Sequence, residues 1–85
     1  MHAQIENNWT GNGAAAVWSD DGNWDLPPLT ANDVIVFPST TTNRLVNTND
    51  TVLSFDGITL DNETVETWGN TLNLNSNAPI TATAI

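Results

Sequence analysis

The sequence predicts an all-β fold made of short strands, and three observations lead to this class. Evidence for helix is poor, because the alanine-rich stretch at residues 14–18 is shorter than a helix needs to be stable in water. Short runs rich in β-branched residues, such as Val34–Phe37, are separated by clusters of Asn, Asp and Gly, which favour turns. In the second half of the chain apolar and polar residues alternate, which is the pattern of strands with one buried face.

Composition limits both the size and the partners of this fold. We expect the 85 residues (1–85) to form a single domain, and the absence of cysteine excludes disulfides and thiolate metal sites. The net charge is −9, with one arginine and no lysine, so we expect no nucleic-acid partner. Apolar runs stay far below the roughly 20 residues that span a bilayer, so we expect no membrane insertion.

In the first part of the chain, apolar runs and the residues that end them predict the strands. Residues 34–37 form the clearest predicted strand, which Pro38 terminates. Two further strands are predicted at residues 45–46 and 51–55. Between them, the Asn-Thr-Asn-Asp sequence at residues 47–50 is predicted to be a turn.

The second half of the chain is repetitive. Residues 57–62 are echoed by residues 70–75, and a third alternating segment covers residues 80–85. The spacing is irregular and fits an averaged repeat of roughly 20 residues, built from two or three short strands. This pattern predicts a short β-solenoid, in which successive rungs of strands stack on one another. A small antiparallel β-sandwich is the alternative.

Three tryptophans near the N-terminus predict a cap for that solenoid. Trp9, Trp18 and Trp24 stand nine and six residues apart and are separated by turn-forming residues. An uncovered solenoid end exposes strand edges and core side chains, which invites aggregation. Each indole buries roughly 150–250 Å² of surface, so a few of them can cover such an end. We therefore predict a Trp-rich capping segment at residues 1–33 and β-strand rungs at residues 34–85.

The same segment carries three short tryptophan motifs, followed by a proline and a strand: Trp9-Thr10-Gly11, Trp18-Ser19-Asp20, Gly22-Asn23-Trp24, Pro28 and Asn32-Asp33-Val34-Ile35-Val36. This arrangement resembles the N-terminal opening of bacterial right-handed parallel β-helix surface proteins, such as autotransporter passenger domains. The resemblance implies a right-handed β-helix whose first rung is capped by the tryptophan segment. Residues 45–85 match only as a generic rung pattern, and the long solenoid and C-terminal anchor of that family are not seen in the sequence.

No metal or cofactor is expected, although one acidic segment partly matches a calcium site. Asp21, Asn23 and Asp25 alternate as ligands do in the first half of a calcium loop. The glycine and the glutamate that such a loop needs later are replaced by Leu26 and Asn32. Only a looser calcium site, using Asp20, Asp21 or Asp25 with backbone carbonyls, remains as an alternative to turn capping by these side chains.

Catalysis is not expected from this sequence. Paired carboxylates for glycoside hydrolysis would have to come from residues in the second half of the chain: Asp56, Asp61, Glu63 and Glu66. A chain of this length offers little cleft in which to desolvate one of them. The single histidine, His2, lies near the terminus, where no Ser-His arrangement is apparent.

Trp68 stands apart from the other tryptophans, next to a predicted turn. The favoured interpretation makes it a rung residue that packs inward or against the cluster of N-terminal tryptophans. The alternative is an exposed ring that stacks on a glycan.

These observations favour a non-enzymatic structural module of a cell surface or fibre over a small carbohydrate-binding module or adhesin cap. The last alternating segment is predicted to present an unpaired strand edge for assembly, with these residues: Ile80, Ala82, Ala84 and Ile85. We expect that edge to pair with another copy of the chain, or to continue into further rungs. The expected location is extracellular, with any signal peptide already removed.

Overall fold

A computed structural model describes residues 5–62 and 64–82, and its regular structure consists of short β-strands. The strands in chain order are β1 (Glu6–Asn8), β2 (Val34–Phe37), β3 (Val46–Asn49), β4 (Ser54–Phe55), β5 (Gly57–Leu60), β6 (Glu66–Gly69), β7 (Asn73–Leu74) and β8 (Ile80–Ala82). A short 3-10 turn spans Asp21–Asn23, and the described part of the chain has no α-helix. The all-β prediction is confirmed.

The strands form three small sheets, and every pair of neighbouring strands in them is parallel. One sheet has the order β1-β2-β5-β8, and the other two are the pairs β3-β6 and β4-β7. Val34 lies opposite Gly57 and Ser54 lies opposite Asn73, so paired strands are roughly 20 residues apart in sequence. This parallel pairing makes the alternative of an antiparallel sandwich wrong for the described strands.

The pairing divides most of the chain into repeated sets of three strands. We call β2, β3 and β4 the first rung, and β5, β6 and β7 the second rung, because each strand of the second pairs with its counterpart in the first. β8 then pairs with β5 in the same register. Connections between paired parallel strands must cross over, and here the intervening strands of the rung make that crossover.

Several strands differ from the sequence prediction: β6 lies where no strand was predicted, and β4 covers only the last two of the predicted residues 51–55. β3 covers residues 46–49, most of which were predicted as a turn. The prediction was wrong because the side chains of Asn47 and Asn49 are buried and hydrogen-bonded, which lets a turn-forming sequence hold an extended conformation. β1 lies inside the predicted capping segment and was missed, because Glu-Asn-Asn has no apolar residue to mark a strand.

The core is centred on aromatic rings from the N-terminal segment and the first rung. Trp9, Trp18 and Trp24 are buried and pack edge-to-face, with ring centroids 5.1 Å apart for the first and third and 6.1 Å apart for the second and third. Phe37 lies within 6.2 Å of all three rings, and Phe55 contacts Trp18 at 6.1 Å. Such T-shaped and tilted contacts contribute stabilisation beyond the area that they bury.

Several asparagine side chains are buried beside this apolar core: Asn7, Asn23, Asn47 and Asn49. The amide of Asn23 shows how their polar atoms are satisfied. Its oxygen accepts a hydrogen bond from the backbone N–H of Gly13, and its nitrogen donates to the carbonyls of Ala15 and Val17. Among the described residues no buried side-chain nitrogen or oxygen lacks a partner, so the desolvation of these amides is compensated.

Candidate functional site

The two ends of the stacked strands are unlike each other, and the N-terminal end is covered. β1 pairs with the outer edge of β2. Residues 16–18 bond the outer edge of β3, through hydrogen bonds from the Trp18 N–H to the Thr48 carbonyl (3.0 Å) and from the Thr48 N–H to the Ala16 carbonyl (2.9 Å). The Asn32 N–H donates to the carbonyl of Ser54 in β4 at 2.8 Å. The N-terminal segment thus forms at least one backbone hydrogen bond with each of the three strands of the first rung.

The indole nitrogens of the three buried tryptophans each find an acceptor within this covered end. The Nε1–H of Trp9 donates to the carbonyl of Asn43, and that of Trp24 donates to the carbonyl of Trp18. The Nε1–H of Trp18 donates to the Oδ1 of Asn47 at 2.8 Å, which joins the N-terminal segment to the first rung. The arrangement satisfies the polar atom of each ring while its apolar surface is buried. Their role as a cap stays a prediction.

Gly11 allows the N-terminal segment to approach the first rung closely. Its φ is +70°, and a Cβ at this position would lie 2.2 Å from the carbonyl oxygen of Asn43. A side chain would therefore collide with the backbone that also accepts the Trp9 indole hydrogen bond. Glycine is the residue that tolerates both the positive φ and the contact.

The opposite end is formed by β6, β7 and β8, which we call the open end. In the part of the chain that the structure describes, these are outermost strands of their sheets. The register aligns Ile35, Ile58 and Ile80 in one column across β2, β5 and β8. Paired residues of parallel strands point to the same side of the sheet, and the exposed fraction of these side chains rises from 0% to 7% to 67%. Ile80 therefore occupies a core position that nothing described covers.

The structure describes two of the four residues that were predicted to form the assembly edge. Ile80 and Ala82 lie in β8, at the outer edge of the largest sheet, and both are exposed. Ala84 and Ile85 fall outside the described residues. The backbone of β8 uses one side to pair with β5, as the 3.0 Å hydrogen bond from the Ile58 N–H to the Pro79 carbonyl shows. Because successive residues of a strand point their backbone groups to opposite sides, the N–H and C=O of Ile80 face the free edge.

Trp68 lies on an outer surface of the molecule, and its interpretation as an inward-facing rung residue is wrong. Its side chain is 65% exposed. It lies opposite Thr48 in the β3-β6 pair, whereas the buried Asn47 lies opposite Thr67. Side chains alternate along a strand, so Trp68 points away from the core. Exposed Val46, two residues before Thr48 on the same face of β3, extends this small apolar surface.

The carboxylates weighed as calcium ligands are largely engaged by hydrogen bonds. Asp20 accepts hydrogen bonds from the backbone N–H groups of Ala14, Ala15 and Gly22, and these bonds, led by that of Ala15, lower the pKa of its carboxyl below the ordinary 3.8. Asp25 accepts two hydrogen bonds from Asn8. Among the described residues no group of three or more His, Cys, Asp or Glu is arranged to hold a metal ion. The expectation that the chain has no cofactor remains a prediction.

The described carboxylates among those considered for hydrolysis lie between the end of β4 and the start of β6. Asp56 accepts a hydrogen bond of 2.6 Å from the Nδ2 of Asn75, and Glu66 lies exposed in β6. Glu63 and His2 fall outside the described residues. Asp61 lines an open depression of about 430 Å³, together with Ser39, Thr41, Thr42, Leu45, Asn62 and Thr64.

The polar groups of this depression mostly bond within the protein. The Nδ2 of Asn62 donates to the carbonyls of Pro38 and Thr41, and its Oδ1 accepts from both the N–H and the hydroxyl of Thr64. The hydroxyl of Thr41 donates to the carbonyl of Trp9 at 2.7 Å. These bonds hold the loops that line the depression, so its polar side chains are explained by their structural role.

Within the described ranges no helix has the length and apolarity needed to cross a membrane. Two surfaces described above remain as candidate functional sites: the open end, with the exposed Ile80, and the surface around the exposed Trp68. No protein-family model, no curated protein and no solved structure matches this chain.

Proposed function

We propose that this chain is a non-catalytic structural module of a cell-surface or fibre assembly, which it joins by stacking strands on its open end. In this proposal the parallel strands form a short right-handed β-solenoid, and the tryptophan segment caps its first rung. Three features support the solenoid: the parallel pairing, the roughly 20-residue separation of paired strands, and the one-to-one pairing of the two rungs. The right hand follows the strong preference of parallel crossover connections.

The observation that carries the proposal is the column of isoleucines. Ile35 and Ile58 are buried in the core, and Ile80 continues their column with 67% of its side chain exposed. Apolar side chains at core positions gain stability only when they are covered, by roughly 25 cal/mol for each Å² removed from water. An additional layer of strands would cover Ile80 and, at the same time, bond the free edge of β8.

The proposed extracellular location rests on the resemblance of residues 8–37 to the opening of bacterial β-helix surface proteins. The same resemblance gives the tryptophan segment its proposed capping role. The structure adds that this segment bonds the outer edges of the first rung, which is what such a cap must do.

A mass measurement in solution tests whether the open end assembles. We expect light scattering to give a mass above the 9.1 kDa of one chain, and to show that it rises with concentration. Ile80→Lys should lower that mass, because a charge on an edge strand disfavours pairing. Val52→Lys, at a side chain that is 83% exposed in the link between β3 and β4, is the matched control and should leave the mass unchanged. A single-chain mass at every concentration would contradict the proposal.

The exposure of Trp68 favours a second candidate function, in which this ring stacks on a glycan. Exposed indoles offer a flat apolar surface with a polar edge, which suits sugar rings. We expect glycan addition to shift the tryptophan fluorescence of the native chain, and we expect that shift to disappear in Trp68→Ala. The three buried tryptophans serve as an internal reference, since a fluorescence change that survives the substitution would come from them and would count against this function.

A further inference from the structure

We infer that the partner at the open end is a second copy of this chain, and that two copies meet end to end about a twofold axis. The inference rests on the proposed function, because it requires that the open end pairs with strands. It goes further by naming the partner, and it narrows the proposed assembly from a fibre to a two-copy unit, because the contact uses the open end of both copies. Three properties of the two ends support it.

The first property is that the covered end is a poor partner for the open end. Head-to-tail stacking would bring β6, β7 and β8 of one copy against the N-terminal segment of the next. The edges of β2, β3 and β4 at that end already bond β1, residues 16–18 and Asn32. Of the strands named, only β1 lies at the edge of its sheet there, and Asp25 already bonds the N–H and the C=O of its Asn8, so the end offers no second or third strand to match. Heterologous stacking, which would produce a filament, is therefore disfavoured.

The second property is the distribution of charge. All ten acidic residues and the single arginine lie between Glu6 and Glu66, and no charged side chain follows Glu66 in the sequence. β7 and β8 are consequently uncharged, and β6 carries one charged residue at its start. Two chains of net charge −9 repel each other at most surfaces, but they can meet through this region with little like-charge contact.

The lack of charge also means that no charged side chain in β8 hinders the pairing of its outer edge with another strand. Monomeric proteins commonly guard edge strands with lysine, inward-pointing charges or proline. Here β8 has the sequence Ile-Thr-Ala, which contains none of these residues. The nearest proline is Pro79, whose carbonyl bonds β5 and so does not point to the outer edge. An uncharged and unguarded edge is suited to pairing with an identical one.

The third property is geometric compatibility with a twofold axis. Rotation by half a turn about an axis perpendicular to β8 reverses the strand, so β8 would lie antiparallel to β8 of the second copy. Antiparallel pairs bond well, and the outward N–H and C=O of Ile80 supply the groups they need. Each Ile80 side chain would then be covered by the strands of the other copy. The column of isoleucines that begins with Ile35 and Ile58 would thereby be closed at its exposed end.

Single-cysteine variants test the symmetry directly, because the chain has no cysteine of its own. Cysteine is placed in separate variants at Ile80, Thr81 and Ala82, with oxidised glutathione as the oxidant. Identical residues approach each other only across a twofold axis, and opposed antiparallel residues fall within the Cα separation that a disulfide needs. We expect at least one of these variants to form a covalent dimer, and uncrosslinked native chain to reach a limiting mass of two chains.

Two controls distinguish failure of this inference from failure of the proposed function. Val52→Cys should give only background dimer, and Leu26→Cys, half-exposed beside β1, should not link to Thr81→Cys in a mixture. A mixed disulfide between those two, with masses that grow beyond two chains, would overturn the twofold contact and leave strand stacking intact. No covalent dimer from any β8 variant, with a single-chain mass for the native protein, would overturn both.

Discussion

Replacing Trp18 with alanine is expected to abolish most of the stability of the fold. The ring of Trp18 is buried against Trp24, Phe37 and Phe55, with centroid distances of 6.0–6.1 Å. Truncating such a ring removes its burial and leaves a cavity, at a cost of about 3–5 kcal/mol. Domains are stable by about 5–15 kcal/mol, and a chain this short lies near the lower limit. The variant should therefore populate the unfolded state at room temperature.

Urea denaturation followed by near-ultraviolet circular dichroism measures this loss, since the signal reports the fixed environment of the tryptophans. Trp68→Ala is the matched control, because it removes the same type of ring from an exposed position. Its effect on the free energy of unfolding should stay within about 0.5 kcal/mol. Equal losses in the two variants would contradict the central place of the N-terminal tryptophans in the core.

The sequence was most informative where local pattern and burial agree. The run at Val34–Phe37 predicted a strand, and the structure has β2 at those residues, buried throughout. The spacing of Trp9, Trp18 and Trp24 predicted a cap, which stays a prediction, and the structure shows Trp24 in edge-to-face contact with both of the other rings. Large apolar residues between turn signals leave few alternatives, because a small domain has one core in which to bury them.

Pairing partners were harder to predict, because they depend on contacts distant in sequence. Nothing near Val46 indicates that it lies opposite Glu66, or that residues 16–18 extend the same sheet. The orientation of Trp68 follows from that register, so an aromatic residue that usually indicates a core position was assigned to the wrong side. Had the two buried asparagines of β3 been recognised as inward-facing, the alternation of the strand would have placed Thr48, and with it Trp68, outward.

Asparagine misled the prediction for a related physical reason. Its short amide can hydrogen-bond its own backbone in a turn, which is why residues 47–50 were predicted as one. Inside a stack of parallel strands the same amide can keep such a local bond, as the Oδ1 of Asn49 does with the N–H of Thr51, and also bond the next rung. Asn47 does so through the hydroxyl of Thr67 at 2.8 Å, and Asn49 donates to the carbonyl of Asn70 at 3.4 Å. Composition alone does not distinguish these two uses.

Asn47→Leu is accordingly expected to destabilise the fold, although the leucine side chain is apolar and branches at Cγ as asparagine does. The Oδ1 of Asn47 is the acceptor for the buried Nε1–H of Trp18, at 2.8 Å. Leucine would leave that indole N–H without an acceptor, and an unsatisfied buried donor costs about 1–3 kcal/mol. The free energy of unfolding, measured by urea denaturation, should fall by that amount. Asn12→Leu removes an exposed amide that bonds Asn43, and should change it by less than about 0.5 kcal/mol.

A double-mutant cycle with Trp18→Phe assigns the loss to this one hydrogen bond. Phenylalanine keeps an aromatic ring at the position but has no N–H, so no donor remains to be left unsatisfied. Asn47→Leu should therefore cost less in the Trp18→Phe background than in the native chain, and residues in contact commonly show such coupling. Additive losses would mean that the bond between the tryptophan segment and the first rung contributes little. The N-terminal segment would then be held by its edge pairing with β2, β3 and β4 and by ring packing alone.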